Sequence, residues 1–388
     1  MLLVETLFYY DTIYTITNMT YNQGYIITGN DGCTYKSART LAKKLGVGKS
    51  TVTKYLKRDG YFNYKGITYK MSEQNQPTNE VTHDDDPEYQ EFLKAKQIKN
   101  LPFEKYDFKF SKKNRGYIWC VALFSDAHIE ETVKPNTVLG KNEYNLAIAK
   151  QRIEKYFVNL VNCLNYDKVE YLIFASLGDM ISGYIHEELS QCNGLTPIEA
   201  TLEAQNLLYS GLCYLCENAK TVKQIEFIGI VGNHSRTTKK IQHANGYKMS
   251  YEWMMYQNLV NQCKSTNLPI NFNIPESEMA VVNAPDNKTF MFMHGFQIKS
   301  SGNGTVCGIY PALNRLFLKL ANTFHQDKIY IGHFHSCISI PNVVVNGSII
   351  GYNTYALTNG FSYEKPAQMY EVYDSNIGLT NTRCIYCD

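Results

Sequence analysis

Short apolar runs alternate with helical patterns over the last two thirds of the chain. The apolar runs cover residues 117–124, 169–176, 225–231, 290–293 and 329–331. Between them, apolar positions recur at helical spacing over residues 143–165, 196–219, 249–264 and 308–323. Runs of this length and composition are typical of buried strands, and strands that alternate with helices predict an α/β domain.

A different pattern occupies residues 37–58 near the amino terminus. Apolar residues at helical spacing precede a break at Gly46-Val47-Gly48, and Val52 and Leu56 then continue the helical spacing. This pattern predicts a helix-turn-helix, with residues 61–70 as a hairpin-like wing. The second helix is expected to leave six polar side chains on its free face, namely Lys49, Ser50, Thr51, Thr53, Lys54 and Lys57.

The charge of this segment favours DNA binding over a merely solvated pair of helices. Eight Lys or Arg and no acidic residue lie between Lys36 and Arg58. Basic and hydroxyl side chains on one helix face suit phosphates and base edges. The segment also resembles the modular DNA-binding repeats attached to some homing endonucleases. We therefore predict a nucleic-acid-binding module at residues 1–72, a polar linker at 73–112 and a catalytic domain at 113–388.

Global composition adds little to this interpretation. The net charge of +2 and the pI of about 7.9 indicate no general attraction to nucleic acid, so any such attraction must be local. We find no basic leader followed by a long apolar segment and no apolar run of membrane-spanning length. The 11 cysteines are odd in number and scattered, which fits a reducing compartment. We expect a protein of the cytoplasm, or of the host cytoplasm if it is viral, that has no membrane partner.

Each of the five apolar runs stops at residues that can bind metal. The endings are Asp126-Ala127-His128, Gly178-Asp179, Gly232-Asn233-His234, His294-Gly295 and Gly332-His333-Phe334-His335. Ligands collect outside the carboxyl ends of strands in α/β sheets, so these endings are expected to meet at one site. Gly332 is expected to permit a sharp turn between its strand and the two histidines. A set of carboxylate, imidazole and amide ligands suits manganese, iron or zinc. It differs from the thiolate ligands of a structural zinc site.

The ordered set of endings resembles the calcineurin-like metallophosphoesterase superfamily over about residues 118–336. The resemblance implies an α/β sandwich of two mixed sheets flanked by helices, and two divalent metal ions, with manganese expected before iron or zinc. It assigns one ion to Asp126, His128, Asp179 and His335, and the other to Asp179, Asn233, His294 and His333. Asp179 would bridge the two ions. In this family a hydroxide between the metals attacks phosphorus, and His234 matches the histidine that assists the leaving group.

Two positions depart from the pattern of the family. Relatives often carry an acidic residue after Gly-Asn-His, where this chain has Ser235, and an Asp three residues after the bridging Asp, where it has Ser182. These departures leave the orientation of His234 and the partner of His128 open. Arg236 is a further catalytic candidate that would clamp a phosphate, with a surface arginine as the alternative.

Other residues keep two interpretations. His186 either lines the substrate groove or has no catalytic role. The pairs Cys213-x-x-Cys216 and Cys384-x-x-Cys387 form a zinc site only if the fold brings them together. Tyr352 and Tyr355 either stack on bases or cover a sheet edge.

The segment after the last histidines resembles the tail of phage-encoded metallophosphoesterases related to DNA double-strand-break repair exonucleases. We therefore predict a DNA nuclease that hydrolyses phosphodiester bonds. The alternatives are a phosphomonoesterase or cyclic-nucleotide phosphodiesterase, and a DNA-binding regulator with an inactive metal domain. Exonuclease or endonuclease action, a homodimer and the need for an ATPase partner stay open.

Overall fold

The computed structural model describes residues 25–73, 116–298 and 309–388, together with residues 87, 90, 91 and 94. The chain divides into two compact units, Met1–Phe110 and Ser111–Asp388. Most of the predicted linker and the start of the predicted module lie outside the described residues. Within the described part of the chain, no helix is both long and apolar enough to cross a membrane.

The described part of the first unit contains a four-stranded antiparallel sheet and two helices. The sheet order is β2-β1-β4-β3. In chain order, the elements are β1 Tyr25–Gly29, β2 Thr34–Tyr35, α1 Ala38–Leu45, α2 Lys49–Asp59, β3 Tyr61–Tyr64 and β4 Ile67–Glu73. Gly46, Val47 and Gly48 separate the two helices, and the β3–β4 hairpin follows α2.

The turn between α1 and α2 follows from its residues. Ser37 caps α1 by accepting a hydrogen bond of 3.2 Å from the N–H of Thr40. Gly46 ends that helix in the left-handed conformation, at φ 66°. Val52 and Leu56 of α2 are buried in the small core of this unit.

The second unit contains eleven strands and six helices in the residues that the structure describes. Its strands are β5 Ile118–Phe124, β6 Tyr171–Ser176, β7 Gln224–Gly229, β8 Ile270–Asn273, β9 Met279–Ala284, β10 Lys288–Met293, β11 Lys328–Ile331, β12 Ile338–Ile340, β13 Val343–Val345, β14 Ala367–Asp374 and β15 Gly378–Tyr386. Its helices are α3 Leu146–Asp167, α4 Leu189–Cys192, α5 Pro197–Asn218, α6 Tyr251–Ser265, α7 Tyr310–Phe324 and α8 Thr354–Thr358.

These strands form two mixed sheets that pack against each other. One sheet has the order β15-β14-β5-β6-β7-β8, and the other has the order β12-β13-β11-β10-β9. Trp119, Val121 and Leu123 of β5 lie in the core between the sheets, whereas the alternate residues of β5 lie in the core beneath the helices. Both faces of β5 are thus buried, which explains why its sequence is continuously apolar.

Helices α3, α5 and α6 cover the outer face of the six-stranded sheet, and α7 packs on the five-stranded sheet. Local signals define the helix ends. Thr196 and Glu199, for example, form a reciprocal capping box at the start of α5. The α/β sandwich of two mixed sheets flanked by helices is confirmed, and the four long helices begin and end within three residues of the predicted bounds.

Candidate metal centre

The predicted ligands meet where strands of both sheets end. They follow β5, β6 and β7 of one sheet and β10 and β11 of the other. Their side chains form two groups whose potential ligand atoms lie within 4.8 Å of one another inside each group: Asp126, His128 and His335 in the first, and Asp179, His294 and His333 in the second. The two histidines of the Gly332–His335 turn therefore belong to different groups, which is the division that the family resemblance implies.

In the first group, three side chains converge on a nearly enclosed point. Asp126 and His128 are buried, whereas His335 keeps 24% of its side chain exposed. Nε2 of His335 lies 3.3 Å from Oδ1 of Asp126, and the rings of His128 and His335 lie 5.2 Å apart. Burial opposes ionisation of Asp126, but the hydrogen bond with His335 and the charges of His335 and His294 together outweigh burial and lower the pKa of this carboxyl.

In the second group, Nε2 of His294 lies 2.8 Å from Oδ2 of Asp179. Its other ring nitrogen, Nδ1, donates to the carbonyl of Leu177 at 2.6 Å, which fixes the ring and leaves Nε2 for the site. Burial alone would lower the pKa of His294, but the Asp179 carboxylate raises it to about 9. Burial, and then the charge of His294, lowers the pKa of His333 to about 4.

Backbone contacts join the two groups. The N–H of His333, from the second group, donates to both carboxylate oxygens of Asp126 at 3.1 Å. Oδ1 of Asp179 accepts a 2.8 Å hydrogen bond from the N–H of His234, whose ring lies 4.8 Å from that of His128. The two groups therefore form one centre in which the carboxylates of Asp126 and Asp179 are shared between side-chain and backbone partners.

Two buried atoms in this centre fit a role in cation binding. Among the described residues, Oδ1 of Asn233 and Nε2 of His128 have no hydrogen-bond partner. A buried acceptor without a partner costs about 1–3 kcal/mol, and a bound cation would remove that cost. Carboxylate and amide oxygens together with imidazole nitrogens suit a divalent ion such as manganese, iron or zinc. The seven side chains predicted as ligands thus fit two divalent metal ions.

The turns that carry these ligands have unusual backbone conformations. Positive φ angles occur at five of the predicted ligands: Asp126, His128, Asp179, His333 and His335. Non-glycine residues rarely adopt this conformation, and they adopt it mostly where function or packing enforces it. The predicted role of Gly332 needs a correction, because the turn is made by His333 and His335. Gly332 instead lets the backbone pass close to the Asp126 carboxylate, since a Cβ at position 332 would lie 2.8 Å from Oδ2 of Asp126.

Ser182 itself is the hydrogen-bond partner of His128, in place of the acidic residue of the family pattern. Its hydroxyl oxygen lies 3.0 Å from Nδ1 of His128, and the hydroxyl donates to Glu131 at 3.1 Å. Because the hydroxyl proton is directed at Glu131, its oxygen is the acceptor for His128, which places the ring proton on Nδ1 and leaves Nε2 as the ligand atom. Asn353 completes this chain of contacts by donating to Glu131 at 3.1 Å.

His234 is also oriented by Ser182. Its Nδ1 donates to the backbone carbonyl of Ser182 at 3.0 Å, so the ring position does not depend on an acidic neighbour in sequence. Arg236 donates to the carbonyls of Asn233 at 2.7 Å and Thr238 at 3.2 Å. Arg236 therefore supports the backbone of Asn233. The ring of His186 lies 6.0 Å from that of His234, at the edge of the centre.

Glu252 is a buried residue of the centre that the sequence analysis missed. It lies at the start of α6 and accepts hydrogen bonds from the N–H groups of Met180 and Gly232, and from the hydroxyl of Ser235 at 3.0 Å. Burial, and then the charge of Asp179, raises the pKa of Glu252 to about 7. No local motif marks this glutamate, because its partners come from two other parts of the chain, at residue 180 and at residues 232–235.

The nucleic-acid-binding residues predicted on α2 are mostly on its surface. The exposed members are Lys49, Ser50, Thr51, Lys54 and Lys57. Thr53 is an exception, because it is only partly exposed and its hydroxyl oxygen is buried without a partner among the described residues. It follows Val52 on the flank of the buried stripe, so it does not belong to the free face of the helix. Among the described residues, the cysteine pairs are not part of any metal-binding group of three or more side chains.

No protein-family model matches the chain, and a comparison with curated proteins found no match. Similar solved structures include Vps29 from Entamoeba histolytica, with 10% identity over 68% of this chain and 98% of that chain and a TM-score of 0.27. A putative 5'-nucleotidase from Staphylococcus aureus has 12% identity over 69% and 53%, with a TM-score of 0.31. The 5'-nucleotidase from Candida albicans has 10% identity over 71% and 53%, also with a TM-score of 0.31. These values are too low to carry an argument about activity.

Proposed function

We propose that the chain is a metal-dependent phosphodiesterase that hydrolyses DNA. The observation that carries the proposal is the pair of adjacent ligand groups, Asp126/His128/His335 and Asp179/His294/His333, with His234 beside them. Divalent ions held there would supply positive charge and Lewis acidity to a phosphodiester. Manganese is the ion we expect, because the ligand set is rich in oxygen and imidazole and contains no thiolate.

The residues of the chain contribute positioning and proton transfer. Ser182 supports His128 through its hydroxyl and His234 through its carbonyl, so one residue fixes both rings. With Nδ1 of His234 bound to that carbonyl, Nε2 is the ring nitrogen left for proton transfer. His234 is then the group that protonates the leaving oxygen. Arg236 holds the backbone of Asn233 and acts as a positioning residue.

The choice of DNA as substrate is supported by the first unit. Lys49, Lys54 and Lys57 lie exposed on α2, which carries no acidic side chain until Asp59. Lysines on one helix contribute affinity for the phosphate backbone, and that affinity should weaken as salt increases. The same surface would serve a DNA-binding regulator, so hydrolysis must be tested separately from binding.

The deciding experiment compares three substrates with the manganese-loaded protein. These are linear DNA, the small diester bis(p-nitrophenyl) phosphate and the monoester p-nitrophenyl phosphate. We expect hydrolysis of the DNA and of the small diester, and slower hydrolysis of the monoester. Rapid hydrolysis of the monoester without any cleavage of DNA would overturn the proposal in favour of a phosphomonoesterase. Tight DNA binding without hydrolysis of any substrate would identify a regulator.

A parallel assay on closed-circular DNA would distinguish the modes of cleavage. An enzyme that needs a strand end leaves the closed circle intact, whereas an endonuclease nicks it. The Asp179→Asn variant serves as the control for contaminating nucleases, because it removes a carboxylate that contacts both His294 and His234. Cleavage that persists in this variant would not come from the centre.

A further inference from the structure

The segment from residue 349 to residue 364, here called the aromatic loop, exposes three large aromatic side chains. Tyr355 is 65% exposed, Phe361 is 49% exposed and Tyr363 is 47% exposed. Single exposed aromatic residues are common on protein surfaces, but several on one short loop form a local apolar surface. Their position relative to the metal centre decides what this surface can contact.

Three sets of hydrogen bonds tie the aromatic loop to the turns that carry the first ligand group. At its start, the N–H groups of Ile349 and Ile350 donate to the carbonyl of Asp126, at 3.1 and 3.3 Å. In its middle, Asn353 contacts Glu131, which contacts the Ser182 hydroxyl that supports His128.

At the end of the loop, Glu364 accepts a 2.9 Å hydrogen bond from the N–H of Cys337, two residues after His335. The loop is therefore fixed beside all three members of the first group.

The base of the aromatic loop is held by one buried and one half-buried polar side chain. Arg152 is only 9% exposed and donates to the carbonyls of Ile349 at 2.9 Å and Ile350 at 2.7 Å. Asn142 donates to the carbonyls of Ile350 and Tyr352, both at 2.8 Å. Hydrogen bonds from a buried arginine to backbone carbonyls are charge-assisted and hold the backbone in one position. The aromatic side chains are thus presented on a defined backbone.

The aromatic rings contact one another edge to face. The rings of Tyr355 and Phe361 lie 5.9 Å apart at 74°, and those of Tyr352 and Tyr363 lie 5.8 Å apart at 67°. The Tyr352 hydroxyl donates to the carbonyl of Phe361, which joins the two pairs. Nζ of Lys141 lies 5.9 Å from the centre of the Tyr363 ring and brings a positive charge to the edge of this surface.

We propose that Tyr355, Phe361 and Tyr363 form a stacking surface for the unpaired bases of a nucleic-acid strand whose phosphodiester lies in the metal centre. This inference rests on the proposed function and deepens it, because it selects single-stranded DNA or a frayed end as the substrate. Bases within a duplex are already stacked on their neighbours, whereas unpaired bases stack readily on aromatic side chains. Lys141 would contact the phosphates that connect the stacked bases.

The test measures binding and hydrolysis separately. The Tyr355→Leu/Phe361→Leu variant retains apolar side chains but removes two aromatic faces. Its matched control is Tyr166→Leu, since Tyr166 is 81% exposed in the last turn of α3 and far along the chain from the loop. Binding is measured with chelator-treated protein and a single-stranded oligonucleotide that carries 2-aminopurine, whose fluorescence is quenched by stacking. Hydrolysis is measured on bis(p-nitrophenyl) phosphate.

We expect the double variant to bind the single-stranded oligonucleotide roughly 10- to 100-fold more weakly, which is the range expected for the loss of one or two stacked bases. Its quenching should disappear, while its hydrolysis of the small diester should match that of the wild type. Tyr355→Trp should preserve both binding and quenching.

Unchanged affinity and quenching in the double variant would overturn the inference. So would an equal loss of affinity for duplex DNA, because stacking selects unpaired bases. Loss of a dimer in the double variant without a change in DNA affinity would instead identify the loop as a contact between copies of the chain. If the wild type failed to hydrolyse the small diester, the proposed function would fail, and the binding experiment would still decide on the stacking surface.

Discussion

The hydroxyl of Ser235 donates a 3.0 Å hydrogen bond to the carboxylate of Glu252 at the start of α6. The same carboxylate accepts hydrogen bonds from the N–H of Gly232, at 2.7 Å, and from the N–H of Met180. Gly232 precedes Asn233 and Met180 follows Asp179, so Glu252 joins the turns that carry two predicted ligands. A carboxylate from α6 thus lies against Ser235, the position where the metallophosphoesterase pattern often has an acidic residue.

Removal of this carboxylate should destabilise the centre. Glu252→Ala leaves two buried N–H groups without an acceptor, at a cost of about 1–3 kcal/mol each. Glu252→Gln retains one acceptor oxygen and should cost less. We expect the thermal unfolding midpoint of the metal-free protein to fall in the order wild type, Gln variant, Ala variant. Glu203→Ala is the control, because Glu203 is paired with Lys150 at the protein surface, where such a pair contributes about 0–1 kcal/mol. Equal midpoints for Glu252→Ala and Glu203→Ala would refute the role of Glu252.

Ser182 should control the metal affinity through His128. Ser182→Ala removes the acceptor for Nδ1 of His128, so the ring loses the contact that fixes its orientation and proton position. Loss of such a supporting contact typically weakens metal binding about 10- to 100-fold. A competition titration of manganese against a chelator measures this change. Ser190→Ala is a suitable control, since Ser190 is exposed and its hydroxyl donates to the nearby Glu187 carbonyl. An affinity within twofold of the wild type would show that Ser182 does not support His128.

The lysines of α2 should contribute to DNA affinity without affecting the chemistry. In a variant with Lys49, Lys54 and Lys57 changed to Gln, binding should weaken, and the slope of log affinity against log salt should become smaller by up to about 3. The control changes three other lysines to Gln, namely Lys168, Lys220 and Lys223. These lysines precede β6 and β7 and lie at the ends of these strands away from the centre. Both variants should hydrolyse the small diester at the wild-type rate. If the control variant loses as much DNA affinity as the α2 variant, the first unit does not provide the DNA contact.

Local signals in the sequence predict an α/β domain with five strands and four long helices, whereas the sandwich of two mixed sheets is implied only by the family resemblance. Strands β5, β6, β7, β10 and β11 coincide with short apolar runs, and each ligand follows one of these runs by a few residues. The other six described strands of the second unit were not predicted, because several of them, such as β8 and β15, mix polar and apolar residues. The division of His333 and His335 between two groups is one that only the family resemblance implies. Periodicity alone could not assign the strands to two sheets, because pairings such as β5 with β14 join residues 118–122 to residues 370–374.

The residues that support the ligands are only weakly marked in the sequence. Ser182 stands out in the sequence only as a departure from the family pattern, and its partner Glu131 belongs to no motif. Glu252 carries no signal in the sequence, because the hydrogen bonds that define its role come from residues 17 to 72 positions away. The burial of the Thr53 hydroxyl likewise depends on how the small core of the first unit packs, which helical spacing does not specify.

The number of metal ions bound per chain tests the account most directly. Metal analysis of the purified protein after loading with manganese and removal of the free ion should give two ions per wild-type chain. The Asp179→Asn variant should retain fewer than two, because Asp179 contacts His294 in one group and the backbone of His234 beside the other. One ion or none in the wild type, or two ions retained by Asp179→Asn, would contradict a centre built on Asp179.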